Sequence, residues 1–113
     1  DSYNVNALSQ CMAEQALLDQ DYFKECTAKI LATRKVTASA LEELGFEVLP
    51  SQTNFLFVLP PINALTYFEE LKKRHIFTRY FKNERIAKYV RISIGTEEEM
   101  QEFISATKEI IKK

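Results

Sequence analysis

The residues with the clearest chemical potential are two arginines set in apolar, strand-like sequence. Arg91 stands between Val90 and Ile92, and Arg79 has the matching place in Ile-Phe-Thr-Arg-Tyr-Phe. A guanidinium is costly to bury without an anionic partner, and its planar fork fits the two oxygens of a carboxylate or phosphate. Both arginines therefore read either as ligands for a small oxyanion or as residues of an open sheet face, pointing into water. Asn54, at the mouth of an apolar strand, and Tyr3 and Asn4, ahead of a helix, are weaker candidates, since each type also serves as a cap or turn residue.

Other chemistry is not indicated. The chain has no G-x-S-x-G, no glycine-rich phosphate loop and no local Ser/His/Asp grouping. The single histidine, His75, has no second His or Cys beside it, so no metal site is expected. Cys11 and Cys26 read as two reduced, small apolar residues. The acidic pairs Glu42-Glu43 and Glu69-Glu70 and the run Glu97-Glu98-Glu99 read as solvated helix faces and caps.

The elements that must position the arginines follow from sparse punctuation, two glycines and three prolines in 113 residues. Asn6 caps a first expected helix over 7–18. A second runs over 22–44, with Phe23, Ile30, Leu31, Ala38, Leu41 and Leu44 inward, and Gly45 ends it. The segment 46–49 is β-rich. The run 53–59 (TNFLFVL) is apolar nearly throughout, a strand covered on both faces and stopped by Pro60-Pro61. Asn63 caps a helix to about Arg74, with Leu65, Phe68 and Leu71 inward. Strands are expected over 76–81 and 88–94; in the latter, Val90, Ile92 and Ile94 share one face and Tyr89, Arg91 and Ser93 the other. Gly95 and a Thr96/Glu99 capping box open the last helix. The order α-α-β-β-α-β-β-α predicts one α+β domain over 1–113, a small mixed or antiparallel sheet covered by helices.

Composition agrees with a folded domain: 46% of residues are hydrophobic and 27% charged. Fifteen basic against sixteen acidic residues give a formal charge of −1, which offers nothing to nucleic acid. The longest apolar run, 55–61, is far too short for a membrane span. The polar first residues carry no secretory signal, and a cytoplasmic protein is expected. The start at Asp1, and a second helix of about 34 Å, longer than so small a domain requires, read as a fragment of something larger.

Five segments in order carry a family resemblance: Tyr3-Asn4-Val5-Asn6 before a helix; Leu44-Gly45-Phe46-Glu47-Val48-Leu49-Pro50-Ser51; Thr53-Asn54-Phe55; Thr78-Arg79-Tyr80-Phe81; and Arg91-Ile92-Ser93-Ile94-Gly95-Thr96 followed by three glutamates. Together they resemble the C-terminal small domain of histidinol-phosphate aminotransferases, over essentially the whole chain. His75 departs from the pattern, where a glycine is usual. The resemblance implies a pyridoxal-phosphate enzyme of histidine biosynthesis, moving an amino group between L-histidinol phosphate and 2-oxoglutarate, with glutamate as the other partner. It implies a homodimeric parent, with an upstream large domain as this segment's partner.

By position, Arg91 resembles the arginine that holds the substrate's anionic end and Arg79 a second arginine near its phosphate. Asn54, Tyr3 and Asn4 match positions in or beside the substrate site. The family's cofactor lysine follows a Ser or Thr in a glycine- and arginine-rich segment upstream. The one such pair here, Thr107-Lys108, lies inside the last helix. No catalytic or cofactor-binding residue is therefore expected in this segment, which alone should be inactive and bind no cofactor. An aromatic aminotransferase, a threonine-phosphate decarboxylase and a free-standing, non-catalytic module for small anions are the alternatives.

Overall fold

The computed structural model describes residues 20–49, 54–83 and 87–112. Helix α1 (Gln20–Glu43) leads into strands β1 (Glu47–Leu49) and β2 (Phe55–Leu59), then α2 (Ala64–Lys73), β3 (Arg79–Tyr80), β4 (Val90–Ser93) and α3 (Glu97–Lys112). The four strands form one sheet in the order β1-β2-β4-β3. Every pairing is antiparallel, so the sheet is not mixed. The α+β architecture and the order of elements agree with the sequence reading from the second helix onward. The helix expected over 7–18 lies outside the described residues.

One face of the sheet carries the core. Leu56 and Val58 of β2, Val90 and Ile92 of β4 and the following Ile94 are essentially without exposure. Ile30 and Leu41 of α1, Tyr67 and Leu71 of α2, and Met100, Phe103, Ala106 and Ile110 of α3 close over them in a single cluster. Within it the Tyr67 hydroxyl and Thr107 Oγ1 share a hydrogen bond of 2.8 Å, which satisfies two polar groups that would otherwise be orphaned. Burial pushes the Tyr67 phenol above its ordinary range, against the opposing pull of that hydrogen bond.

Some faces are rotated from the sequence reading. The buried line of α1 is Cys26, Ile30, Thr37 and Leu41, while Phe23 and Leu31 are exposed. Leu31 sits 100° around the helix from the buried Ile30, so the two cannot share one inward line. In α2 the inward residues are Ala64, Tyr67 and Leu71, leaving Leu65 exposed and Phe68 half-buried. Cys26 is fully buried but disulfide-bonded, contrary to the expected reduced thiol. No helix among the described residues is long and apolar enough to cross a membrane.

Two helices end in the same way. At α1, Phe46 N–H donates to the Leu41 carbonyl (3.0 Å) and Gly45 N–H to that of Glu42 (3.1 Å), with Gly45 at φ 95°. At α2, Ile76 N–H donates to Leu71 (3.0 Å) and His75 N–H to Lys72 (3.0 Å), with His75 at φ 62°. Both are Schellman turns, each sealed by buried apolar residues, Phe46 with Leu41 and Ile76 with Leu71. The position where glycine is usual in the resembling family is thus left-handed here and filled by a histidine. The turn also explains why β3 is short: Ile76 is committed to the helix cap and the core, so only Arg79 and Tyr80 pair with β4.

A left-handed L-residue costs about 1–2 kcal/mol relative to glycine, offset in part by glycine's greater unfolded-state freedom. His75→Gly should therefore stabilise the fold by about 0.5–1 kcal/mol, whereas Gly45→Ala should destabilise it by about 1 kcal/mol or more. Thermal or urea melts of the two variants beside the parent sequence measure both signs.

Candidate functional site

The face opposite the helices is set by the period of the strands. With Val90 and Ile92 in the core, Arg91 must project the other way, and it is half-buried there. Antiparallel register places Arg91 opposite Phe57 on one side and opposite Arg79 on the other. Leu49 pairs with Phe57. A single row, Leu49–Phe57–Arg91–Arg79, therefore crosses all four strands, with two guanidinium-bearing residues side by side at its end.

Arg79 and Arg91 line one cleft of ≈ 480 Å³ on the β3 side of the sheet, together with Phe68, Thr78 and Ser93. Like charges directly opposite each other on a sheet repel, yet among the described residues neither arginine is in an ion pair. The salt bridges present join Glu70 to Lys73 (3.0 Å) and to Arg74 (3.2 Å) on α2, and these cations hold the Glu70 carboxyl below its ordinary range. Each guanidinium instead lies over a ring. Arg91 Cζ is 5.1 Å from the centroid of Phe55, and Arg79 Cζ is 5.5 Å from that of Phe81. Phe57 stacks on Tyr89 (5.1 Å, 18°) and meets Phe81 at 5.7 Å. The result is a cationic cleft beside an aromatic floor, with guanidinium N–H groups that no carboxylate among the described residues occupies.

The other expected residues divide. Asn54 is exposed at the start of β2, where its carbonyl accepts from Ile94 N–H at 2.9 Å. It extends the β2–β4 pairing and does not line the arginine cleft. Tyr3 and Asn4 lie outside the described residues. Thr107 is fully buried against Tyr67, and Lys108 lines a groove between α1 and α3 on the helical side of the sheet. Neither reaches the arginines' cleft.

Sequence reasoning overlooked Thr78 and the rings. Thr78 Oγ1 is buried in the cleft region without a hydrogen-bond partner among the described residues. Phe55 and Phe57 were hidden by the reading of 53–59 as a strand covered on both faces. Leu56 and Val58 are buried, but Phe55, Phe57 and Leu59 are only half-buried, on the arginine face. The usable signal was their odd-numbered register with the exposed side of the strand around Arg91.

The end of β4 is held tightly. Thr96 N–H donates to Glu99 Oε1 (2.8 Å) and Glu99 N–H donates to Thr96 Oγ1 (3.2 Å), the reciprocal capping box expected from the sequence. A Cβ on Gly95 would run into the Glu99 carboxylate, so the glycine permits the box to close against the strand end.

Comparison with known proteins gives a consistent picture. The family model for aminotransferase class I and II matches residues 1–106. A histidinol-phosphate aminotransferase of Clostridium botulinum (strain 657 / Type Ba4) is 42% identical over 113 residues, 99% of this chain and 32% of that protein. One from Microcystis aeruginosa is 44% identical over 112 residues, 98% of this chain and 32% of the relative. Among solved structures, histidinol-phosphate aminotransferase from Sinorhizobium meliloti in complex with pyridoxal-5'-phosphate matches with a TM-score of 0.73 at 33% identity, covering 83% of this chain and 27% of that one. The Clostridium acetobutylicum enzyme matches with a TM-score of 0.76 at 25% identity, covering 89% and 32% respectively. The chain thus spans about a third of the length of the curated relatives it matches.

A cleft whose two arginines are in no ion pair among the described residues should take up phosphate. At a phosphate concentration five times the Kd, binding should raise stability by about 1 kcal/mol over a chloride control of equal ionic strength. Arg91→Gln should abolish that difference while leaving stability in chloride unchanged or slightly higher, because a like-charge pair is removed. Thermal melts in matched phosphate and chloride buffers check both expectations.

Proposed function

The chain belongs to the aminotransferase class I and II family, and from that premise we propose that it is the substrate-anchoring C-terminal small domain of a histidinol-phosphate aminotransferase. The longer protein would transfer an amino group between L-histidinol phosphate and 2-oxoglutarate, working as a homodimer with its large domain upstream. The observation that supports the reading is the cross-strand pair Arg79–Arg91, in no ion pair among the described residues and lining one cleft. The names of the relatives favour histidinol phosphate over an aromatic amino acid or threonine phosphate as substrate.

Each arginine has a separable task. Arg91, half-buried at the middle of the row, offers two parallel hydrogen bonds to an oxyanion. It would grip the group common to both half-reactions, the glutamate carboxylate in one and the histidinol-phosphate end in the other. Arg79 at the rim is exposed and adds charge for the dianionic phosphate. Binding energy at this remote end of the substrate would orient the reacting end toward the large domain.

Pyridoxal phosphate supplies the electron sink in enzymes of this kind. The described residues do not fit its attachment. A lysine that holds the cofactor stoichiometrically sits in a defined pocket that lowers its pKa, whereas every lysine among the described residues is exposed. Thr107-Lys108 is turned away from the arginine face, as described above. The cofactor is therefore assigned to the large domain, and this segment by itself should be catalytically inactive. Incubation of the 113-residue chain with pyridoxal phosphate, borohydride reduction and mass spectrometry should reveal only scattered, substoichiometric lysine labelling. Stoichiometric modification of a single lysine would contradict the assignment.

In the longer protein, Arg91→Ala should reduce kcat/KM for both the glutamate and the histidinol-phosphate half-reactions. The expected loss is about 2–5 kcal/mol of transition-state binding, the scale for a desolvated charge pair that loses one partner. Arg91→Lys should recover part of it, since an ammonium keeps the charge but not the fork. Steady-state kinetics with each substrate, with a thermal melt as control, test this. Near-normal kcat/KM for both substrates in Arg91→Ala would remove Arg91 from the site.

A further inference from the structure

We propose that Phe55 and Phe81 are positioning residues of the anion site, each fixing one guanidinium with its ring face where a carboxylate would ordinarily do so. The inference rests on the reading of Arg79 and Arg91 as an anion anchor and adds how the two guanidiniums are ordered without an acidic partner among the described residues.

Two constraints meet at these arginines. They are directly opposed across β3 and β4, so their charges repel, and long flexible side chains under repulsion swing apart into water. An acidic residue between them would restore order. It would also consume the N–H donors and cancel the field that draws an anion in. An aromatic ring resolves the conflict. Its quadrupole attracts a cation within about 6 Å of the centroid, and the two distances here, 5.1 and 5.5 Å, fall inside that range. A phenyl ring has no lone pair, so the guanidinium keeps its N–H donors for an incoming oxyanion.

The sheet delivers the two rings by two different same-face relations. Phe55 pairs with Ser93, which makes it the diagonal neighbour of Arg91, within reach of a long side chain. Phe81 follows Arg79 by two residues and emerges on the same side. The rings are themselves braced. Phe81 meets Phe57 at 5.7 Å, and Phe57 stacks on Tyr89. Phe57 in turn sits directly across from Arg91. The aromatic residues therefore border both guanidiniums and leave the cleft side open.

The test is isosteric. Mono-, di- and trifluorinated phenylalanine are placed at position 55, and separately at 81, of the full chain. Fluorination withdraws density from the ring face while nearly preserving its shape. Inorganic phosphate is titrated at constant ionic strength against a chloride control. The arginine Nε–Hε resonances of Arg79 and Arg91 are followed by NMR, and the backbone amide spectrum verifies the fold. The expected result is ring-current displacement of the Arg91 resonance in the free chain and a phosphate Kd that rises stepwise with fluorination at position 55. The total rise should be about 2- to 5-fold. Position 81 should act in the same way through Arg79, and Phe55→Trp should retain or tighten binding. A Kd that stays flat across the fluorine series while Arg91→Gln abolishes the phosphate response would overturn the role of the rings and leave the anion anchor intact. An unmodified chain whose arginines show no saturable response to phosphate would overturn both.

Discussion

The two-residue period of β4 is the constraint from which the arginine-bearing face follows. Val90, Ile92 and the following Ile94 are drawn into a core closed by all three described helices. Once they are buried, residue 91 has only the opposite face available, whatever its side chain. An arginine there stands on a stiff, central strand paired on both sides, not on a loop. Register then does the rest: Phe57 and Arg79 are its neighbours because β2 and β3 are antiparallel to β4 at a fixed alignment. The core thus determines both the fold and the location of the cationic cleft. Moving the register by one residue would destroy both together.

Much of this was legible in the residues. A charged side chain within Val-Arg-Ile is anomalous enough to single out Arg91, and the same logic finds Arg79. Local rules with strong residue preferences read true. Gly45 ends α1 with a positive φ, Asn63 Oδ1 caps α2 by accepting from Thr66 N–H at 3.0 Å, and the Thr96/Glu99 box opens α3. Each of these depends on neighbours within about five positions, so the sequence contains the whole interaction.

What was not legible is non-local. The order β1-β2-β4-β3, with β4 inserted between β2 and β3, brings Phe55 beside Arg91 across a separation in sequence that no periodicity reports. Apolarity of 53–59 suggested cover on both sides because a phenylalanine beside a guanidinium looks, in one dimension, like a phenylalanine in a core. Helix faces are the weaker inference from periodicity: Leu65 reads as inward from its size, but in α2 Ala64 is buried and Leu65 exposed. The shortness of β3 followed from competition, since Ile76 serves the α2 cap before it can serve the sheet.

The tight turn after β4 has a mechanical consequence. Ile94 N–H is tied to the Asn54 carbonyl, Gly95 lies against the Glu99 carboxylate, and Thr96 and Glu99 exchange hydrogen bonds. Between the last residue of β4 and the first turn of α3 there is no slack to absorb a displacement. The Arg91 backbone cannot advance toward a ligand by local bending, as a loop-borne residue could. Arg91, inside β4 and paired with both β2 and β3, therefore sits on backbone held by the sheet as well as by the turn that follows it.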